Sequence, residues 1–316
     1  MLESFKKETF TAPLLVLSIC LFMALSNFAV SFVEFESRQD LLLTYAVMEL
    51  LVFVLPAVFY VKCKKRGYAA DMQMISFGFS QLPLILLMFF VLSLGGILFS
   101  LVYTYFGISF DSSAKIWQDA LSLSKGDFFE NEKTMVYISL VLAVVPAFAE
   151  EFVFRGVLLK EYSRYGMVPA VLVTSLFFAM LHFDTTLFPI YFFSGMVLGF
   201  TAYTARSVFA SAVLHSLNNL FSLFIAPLVS NFISLETGKI IVFYIVCVLF
   251  LLFLMLALGE SERLFAGYSV SGIASPKQAK KRFAALPASF EVLSPSFLLC
   301  LVLFILGALQ IIPFPV

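Results

Sequence analysis

The chain has 316 residues, 61% of them hydrophobic and 13% charged, with a mean hydropathy of +1.01. Globular chains are about 45–50% apolar and about 25% charged, so this composition excludes a soluble domain and implies an all-α, polytopic bundle of transmembrane helices. Twenty basic residues balance twenty acidic ones, which gives no support to nucleic-acid binding and leaves the lipid bilayer as the one partner that composition names.

A helical span takes about 20 mostly apolar residues. Nine stretches qualify: 11–33, 41–61, 82–106, 135–158, 167–183, 186–205, 208–230, 239–258 and 294–313. Lys6 and Lys7 before the first stretch, with Ala24-Leu25-Ser26 inside it, resemble a signal peptide, but the apolar run continues through AVSFV and reads as a span. Residues 107–134 form a long loop with the only tryptophan, Trp117; KIWQDALSL there reads as a solvated loop rather than an interfacial helix. The fifth to seventh stretches are joined by very short connections, which makes them antiparallel neighbours. Residues 259–293, with KQAKKR, read as an ordinary basic inner loop.

With the N-terminus inside, fifteen of the twenty basic residues fall on inner loops and span ends, and the C-terminal IIPFPV lies outside. The expected division is 1–134 (three spans and the outer loop), 135–230 (a core of four spans) and 231–316 (two spans and the inner loop). The expected location is the cell membrane, or the endoplasmic reticulum membrane in a eukaryote. Cys20, Cys63, Cys247 and Cys300 are scattered, without metal-ligand spacing or a disulfide framework, and read as packing residues.

Ionisable groups at membrane depth are costly and mark function by default. The fourth stretch carries Glu150, Glu151 and Arg155; the only two histidines, His182 and His215, lie in the fifth and seventh. Neighbouring helical residues point about 100° apart, so Glu150 and Glu151 cannot face one site. Glu151 and Arg155 are spaced i, i+4 with the acid on the N-terminal side, the favourable order for a pair that fixes local geometry. Glu150 is left for chemistry. Phe178 and His182 share the same spacing, so the ring packs beside the imidazole, as do His215 and Asn219, which places a histidine and an amide donor on one face. Asn218 points elsewhere. Taken singly, each of these could be interhelical glue; together, in so apolar a chain, they read as a site for water-activating hydrolysis. Glu49, mid-span in YAVMELLVF, has no matching histidine and reads as structural pairing or water contact. By ideal helical rise Glu150 and His182 each lie about 22 Å from opposite ends of their spans, so tilt or stagger has to bring them level.

Glu150-Glu151-x-x-x-Arg155, Phe178-x-x-x-His182 and His215-x-x-x-Asn219, in this order on three spans, resemble the three-motif signature of the CAAX protease and bacteriocin-processing family. This group, also called CPBP or Abi, comprises the type II CAAX prenyl endopeptidases. The resemblance covers roughly residues 135–225. It implies a membrane-embedded hydrolase, a protease that cleaves peptide bonds of membrane-associated proteins or peptides. Glu150 would activate water assisted by His182, His215 and Asn219 would stabilise the tetrahedral intermediate, and Glu151, Arg155 and Phe178 would support the site. The family has been described both as metalloproteases and as metal-independent glutamate peptidases. Zinc would take Glu150, His182 and His215 with water in a fourth position. The metal-free scheme is favoured, because Glu150 as a ligand leaves no separate base. Two other functions remain open: a non-catalytic membrane immunity or regulatory partner, and a proton-coupled transporter relaying through Glu49, Glu150 and the histidines.

Overall fold

The computed structural model describes residues 11–33, 35, 38–64, 72, 74–108, 132–226, 239–270 and 294–312. Among these there is no strand, and nine helices follow the nine apolar stretches: α1 (Thr11–Val30), α2 (38–63), α3 (79–105), α4 (132–163), α5 (Met167–Met180), α6 (Phe188–Ala205), α7 (Val208–Phe224), α8 (Lys239–Val270) and α9 (Pro295–Ala308). Six of them, α1 to α4, α6 and α8, are long and apolar enough to cross a membrane, while α5, α7 and α9 are shorter apolar helices. The chain is a multi-pass membrane protein of all-helical architecture. Lys6, Lys7, the Trp117 segment and KQAKKR lie outside the described residues.

Local chemistry explains several boundaries. Gly166 ends the three-residue link from α4 to α5 at φ 104°, a conformation that a side chain would strain. Ser207 and Ser294 cap α7 and α9 by accepting the N–H groups of Ala210 and Phe297. The helix of the eighth stretch runs on past 258 to Val270 through the polar sequence GESER, where Glu260 pairs with Arg263 and Arg263 also donates to Ser80 O at 2.8 Å. Those bonds stabilise a helical continuation where composition alone suggests a loop.

Two helices contain wider turns of π type: Leu50–Val54 in α2, and Leu140–Val144 and Phe152–Leu158 in α4. The first two have a local cause. Pro56 and Pro146 each lack the N–H that would bond the carbonyl four residues back, at Val52 and Leu142, and their rings crowd it. Widening the turn there relieves the crowding.

The chain packs as two units. Unit 1 comprises 1–74, 149–200 and 275–315, and unit 2 comprises 75–148, 201–274 and the final residue. In unit 1, α1 packs on α9, and Phe297 and Phe304 of α9 meet Phe177 of α5 and Phe188 of α6 at 5.6 and 5.5 Å between ring centroids. The α2 and α4 segments lie parallel: Phe53 meets Phe154 at 6.4 Å, and further along Lys64 pairs with Glu161 at 2.9 Å. Burial works against the Lys64 charge, but hydrogen bonds to Tyr60 and Glu161 outweigh it and hold the ammonium above its ordinary range. Helices α5 and α6 are antiparallel and in close approach. A Cβ on Gly195 would stand 2.9 Å from Ser175 Cα, and one on Gly199 would stand 3.4 Å from Val171.

A buried ion pair ties these helices together. Arg155 Nη1 donates to Glu151 Oε1 at 2.8 Å, with both side chains fully enclosed, and Arg155 Nη2 donates to Gly195 O at 3.0 Å. In unit 2, α3 packs along α8 through stacked Phe90 and Phe253 at 4.5 Å and on α7 through Phe89 and Phe221. The other face of α8 exposes Ile240, Ile241, Ile245, Val248 and Leu252, which suits contact with lipid.

Two outcomes follow from unit 1. Breaking a buried pair by removing one charge costs about 3–5 kcal/mol, so Glu151→Gln is expected to lower expression and the melting temperature in detergent, whereas Glu150→Gln leaves both unchanged. The reverse order would mean that the face of α4 is wrongly assigned. Gly195→Val forces overpacking worth about 1–3 kcal/mol against Ser175 backbone, which cannot yield like a side-chain tip. Gly96→Ala, in open space, serves as the silent control in the same melting assay.

Candidate active site

Glu150 belongs to the last normal turn of α4 before the wide stretch Phe152–Leu158. The carboxyl of Glu49 lies within interaction range of it and occupies the matching place in α2, immediately before Leu50–Val54. A hydrogen bond between two carboxyl groups needs a proton on one of them. Glu150 Oε2 is shut off from solvent and receives no hydrogen bond from any amide, hydroxyl, imidazole or guanidinium among the described residues. Glu151 faces the other way, into its bond with Arg155, as the face argument requires.

From Arg155 a chain of ring contacts leads to the first histidine. The guanidinium lies 4.9 Å from the Phe178 ring centroid, and Phe178 lies 4.8 Å from the imidazole of His182. On its other flank His182 stacks against Tyr191 at 3.7 Å and 23°. Its Nδ1 is 2.8 Å from Phe178 O. A carbonyl only accepts, so Nδ1 carries the hydrogen and Nε2 is the nitrogen that can take a proton. His182 lies in the turn just beyond Met180, not within a span as the sequence suggests, because α5 ends after fourteen residues. Asp184 then holds the link to α6, accepting the N–H groups of Thr186 and Leu187 at 2.8 and 2.9 Å. This turn places Tyr191 against His182, and Tyr191 is also within electrostatic range of Asp184 and Glu150.

His215 and Asn219 belong to unit 2, one turn apart on α7. His215 is buried and Asn219 half-buried. Asn219 Nδ2 donates to Ala143 O at 3.3 Å, inside the wide stretch Leu140–Val144 of α4. Polar side chains on neighbouring helices meet backbone groups in this way where a membrane helix departs from regular geometry. An amide has two N–H groups, so one remains for another acceptor.

Two residues of this neighbourhood were not singled out as site residues by sequence reasoning. Glu49 does pair, but with Glu150, 101 positions away, and its signal was its own cost as a carboxyl in mid-span. Tyr191 gives no signal in a segment rich in Phe. Among the described residues, no group of three or more His, Cys, Asp and Glu is placed to hold a metal ion.

Residues 132–221 match the family model described as type II CAAX prenyl endopeptidase Rce1-like, and Glu150, Glu151, Arg155, Phe178, His182, His215 and Asn219 all fall inside the match. No curated protein and no solved structure matches the chain. The motif order and the match over residues 132–221 point to the same family, the type II CAAX prenyl endopeptidase Rce1-like group, to which this part of the chain is similar.

Proposed function

We propose that the chain is an intramembrane endopeptidase that hydrolyses peptide bonds of membrane-associated proteins or peptides. The observation that carries this is the family match over 132–221, which encloses all three motifs and supports a protease. Glu150 takes a proton from water, with His182 Nε2 assisting, and the oxygen adds to the scissile carbonyl carbon. His215 and the second N–H of Asn219 donate to the resulting oxyanion. The C–N bond then breaks, the proton passes from Glu150 to the leaving nitrogen, and a carboxylate and an amine depart. Glu151, Arg155 and Phe178 hold α4 and His182 in place. A shielded Glu150 Oε2 and a His182 with Nδ1 committed to Phe178 O suit this use.

A second function, proton-coupled transport, draws on the Glu49–Glu150 contact. Solute uptake by reconstituted protein, unaffected by Asn219→Ala, would favour it.

Proteomic comparison of cells carrying wild type or Glu150→Gln is expected to reveal a membrane-proximal peptide end present only with wild type. Glu150→Gln is nearly isosteric but cannot act as a base; full biological effect at equal expression would sink the protease assignment and leave a non-catalytic partner. Exhaustive chelation is expected to leave activity intact, with no stoichiometric zinc by elemental analysis; loss on chelation and recovery with zinc would make Glu150, His182 and His215 ligands.

Removing one oxyanion donor costs about 100- to 1,000-fold in turnover. Asn219→Ala should show that loss with little change in substrate affinity, together with a lower melting temperature because Ala143 O loses its donor. Asn218→Ala should be much milder. Wild-type cleavage by Asn219→Ala would remove the oxyanion role.

A further inference from the structure

We propose that Glu49 is a positioning residue for Glu150: its carboxyl donates a hydrogen bond that holds the Glu150 carboxylate in the orientation from which it takes a proton from water. This rests on the assignment of Glu150 as the group that activates water.

Three observations carry it. The first is register. Helices α2 and α4 lie parallel, with Phe53 against Phe154 and Lys64 against Glu161. Glu49 and Glu150 each precede their phenylalanine by four residues, so the two carboxyls come level one turn above the ring contact, within interaction range of each other. The second is need. Glu150 Oε2 is enclosed and has no conventional donor among the described residues, and an acceptor left unsatisfied in a membrane interior is costly. The carboxyl of Glu49 is the group placed to serve it. The third is backbone form. Both carboxyls stand where a regular helix gives way to wide turns; Pro56 accounts for Leu50–Val54, but no proline accounts for Phe152–Leu158 beside Glu150, and wide turns of this kind concentrate at functional sites. A mid-span carboxyl without a partner would be expensive; here the cost is offset by fixing a second carboxyl whose aim matters.

A donor role makes the chemistry of the substituent decisive. Glutamine at 49 keeps an N–H that can donate to Glu150, whereas leucine keeps the bulk and loses the donor. Losing a hydrogen bond to a charged group corresponds to about 10- to 100-fold in rate.

The test uses the full chain in lipid nanodiscs as wild type, Glu49→Gln, Glu49→Leu and Glu150→Gln. Infrared spectroscopy reads the C=O stretch of a protonated, hydrogen-bonded carboxyl. The band is expected in wild type, absent in both Glu49 variants and shifted in Glu150→Gln. A band that survives in Glu49→Gln and disappears in Glu150→Gln puts the proton on Glu150 and overturns the donor role. Cleavage is measured on a synthetic peptide spanning the bond found by the proteomic comparison. Glu49→Leu should lose about 10- to 100-fold in kcat with KM unchanged, and Glu49→Gln should restore most of it, a rescue that a merely space-filling residue would not show. Wild-type kcat in Glu49→Leu, with Glu150→Gln inactive, rejects this inference and leaves the protease assignment standing. Activity in Glu150→Gln rejects the protease assignment itself, and the infrared band still decides whether Glu49 donates. If Glu49→Leu fails to fold, the infrared band and the kcat of Glu49→Gln decide.

Discussion

Arg155 is the point on which unit 1 turns. A lone guanidinium in a low-dielectric interior is costly; here Nη1 and Nη2 each donate a hydrogen bond and two rings lie near, while Nε is buried without a hydrogen-bond partner. Glu151 takes one nitrogen, Gly195 O takes another, and Phe154 and Phe178 lie 5.6 and 4.9 Å from it. The four contacts reach three parts of the fold: its own helix, through Glu151 and Phe154, α6 and α5. The close approach at Gly195 and Ser175 brings the accepting carbonyl near. Because Phe178 touches both Arg155 and His182, the charge that holds the helices also sets the wall beside the histidine.

Much of this was legible in the sequence where the interaction is local. The spacing of Glu151 and Arg155 and of Phe178 and His182 puts each pair on one helix face, and both contacts are present. The all-helical class follows from composition, since only helices satisfy their own backbone in lipid and come in such apolar lengths. Interactions across long sequence separations were not legible. Nothing near Glu49 names Glu150 as its neighbour, and nothing in the run Phe188–Ala205 distinguishes Tyr191 from the phenylalanines around it. The prolines at 56 and 146 did carry a signal, a lost donor two residues beyond each wide stretch, which hydropathy counting does not read. His182, expected in the last turn of its span, lies just past the end of α5 because a short apolar helix and its following turn have the same composition.

The division into two units is also invisible to composition. Both α4 and α6 contribute to each unit, with the boundary inside a continuous helix. A change of unit within a helix leaves the backbone unbroken and alters only its neighbours, which hydropathy does not record.

The long helix α8 has a consequence for how deeply unit 2 sits in lipid. At 1.5 Å per residue its apolar portion, 240–258, measures roughly 28 Å, close to the roughly 30 Å of a bilayer's hydrocarbon layer. That length suffices to cross the layer, and the helix continues beyond it through GESER to Val270. Arg263, at that level, grips Ser80 O at the start of α3. Two helices are thereby levelled to the same plane, and a thicker or thinner bilayer would have to tilt them jointly, making hydrophobic mismatch a load shared by the pair.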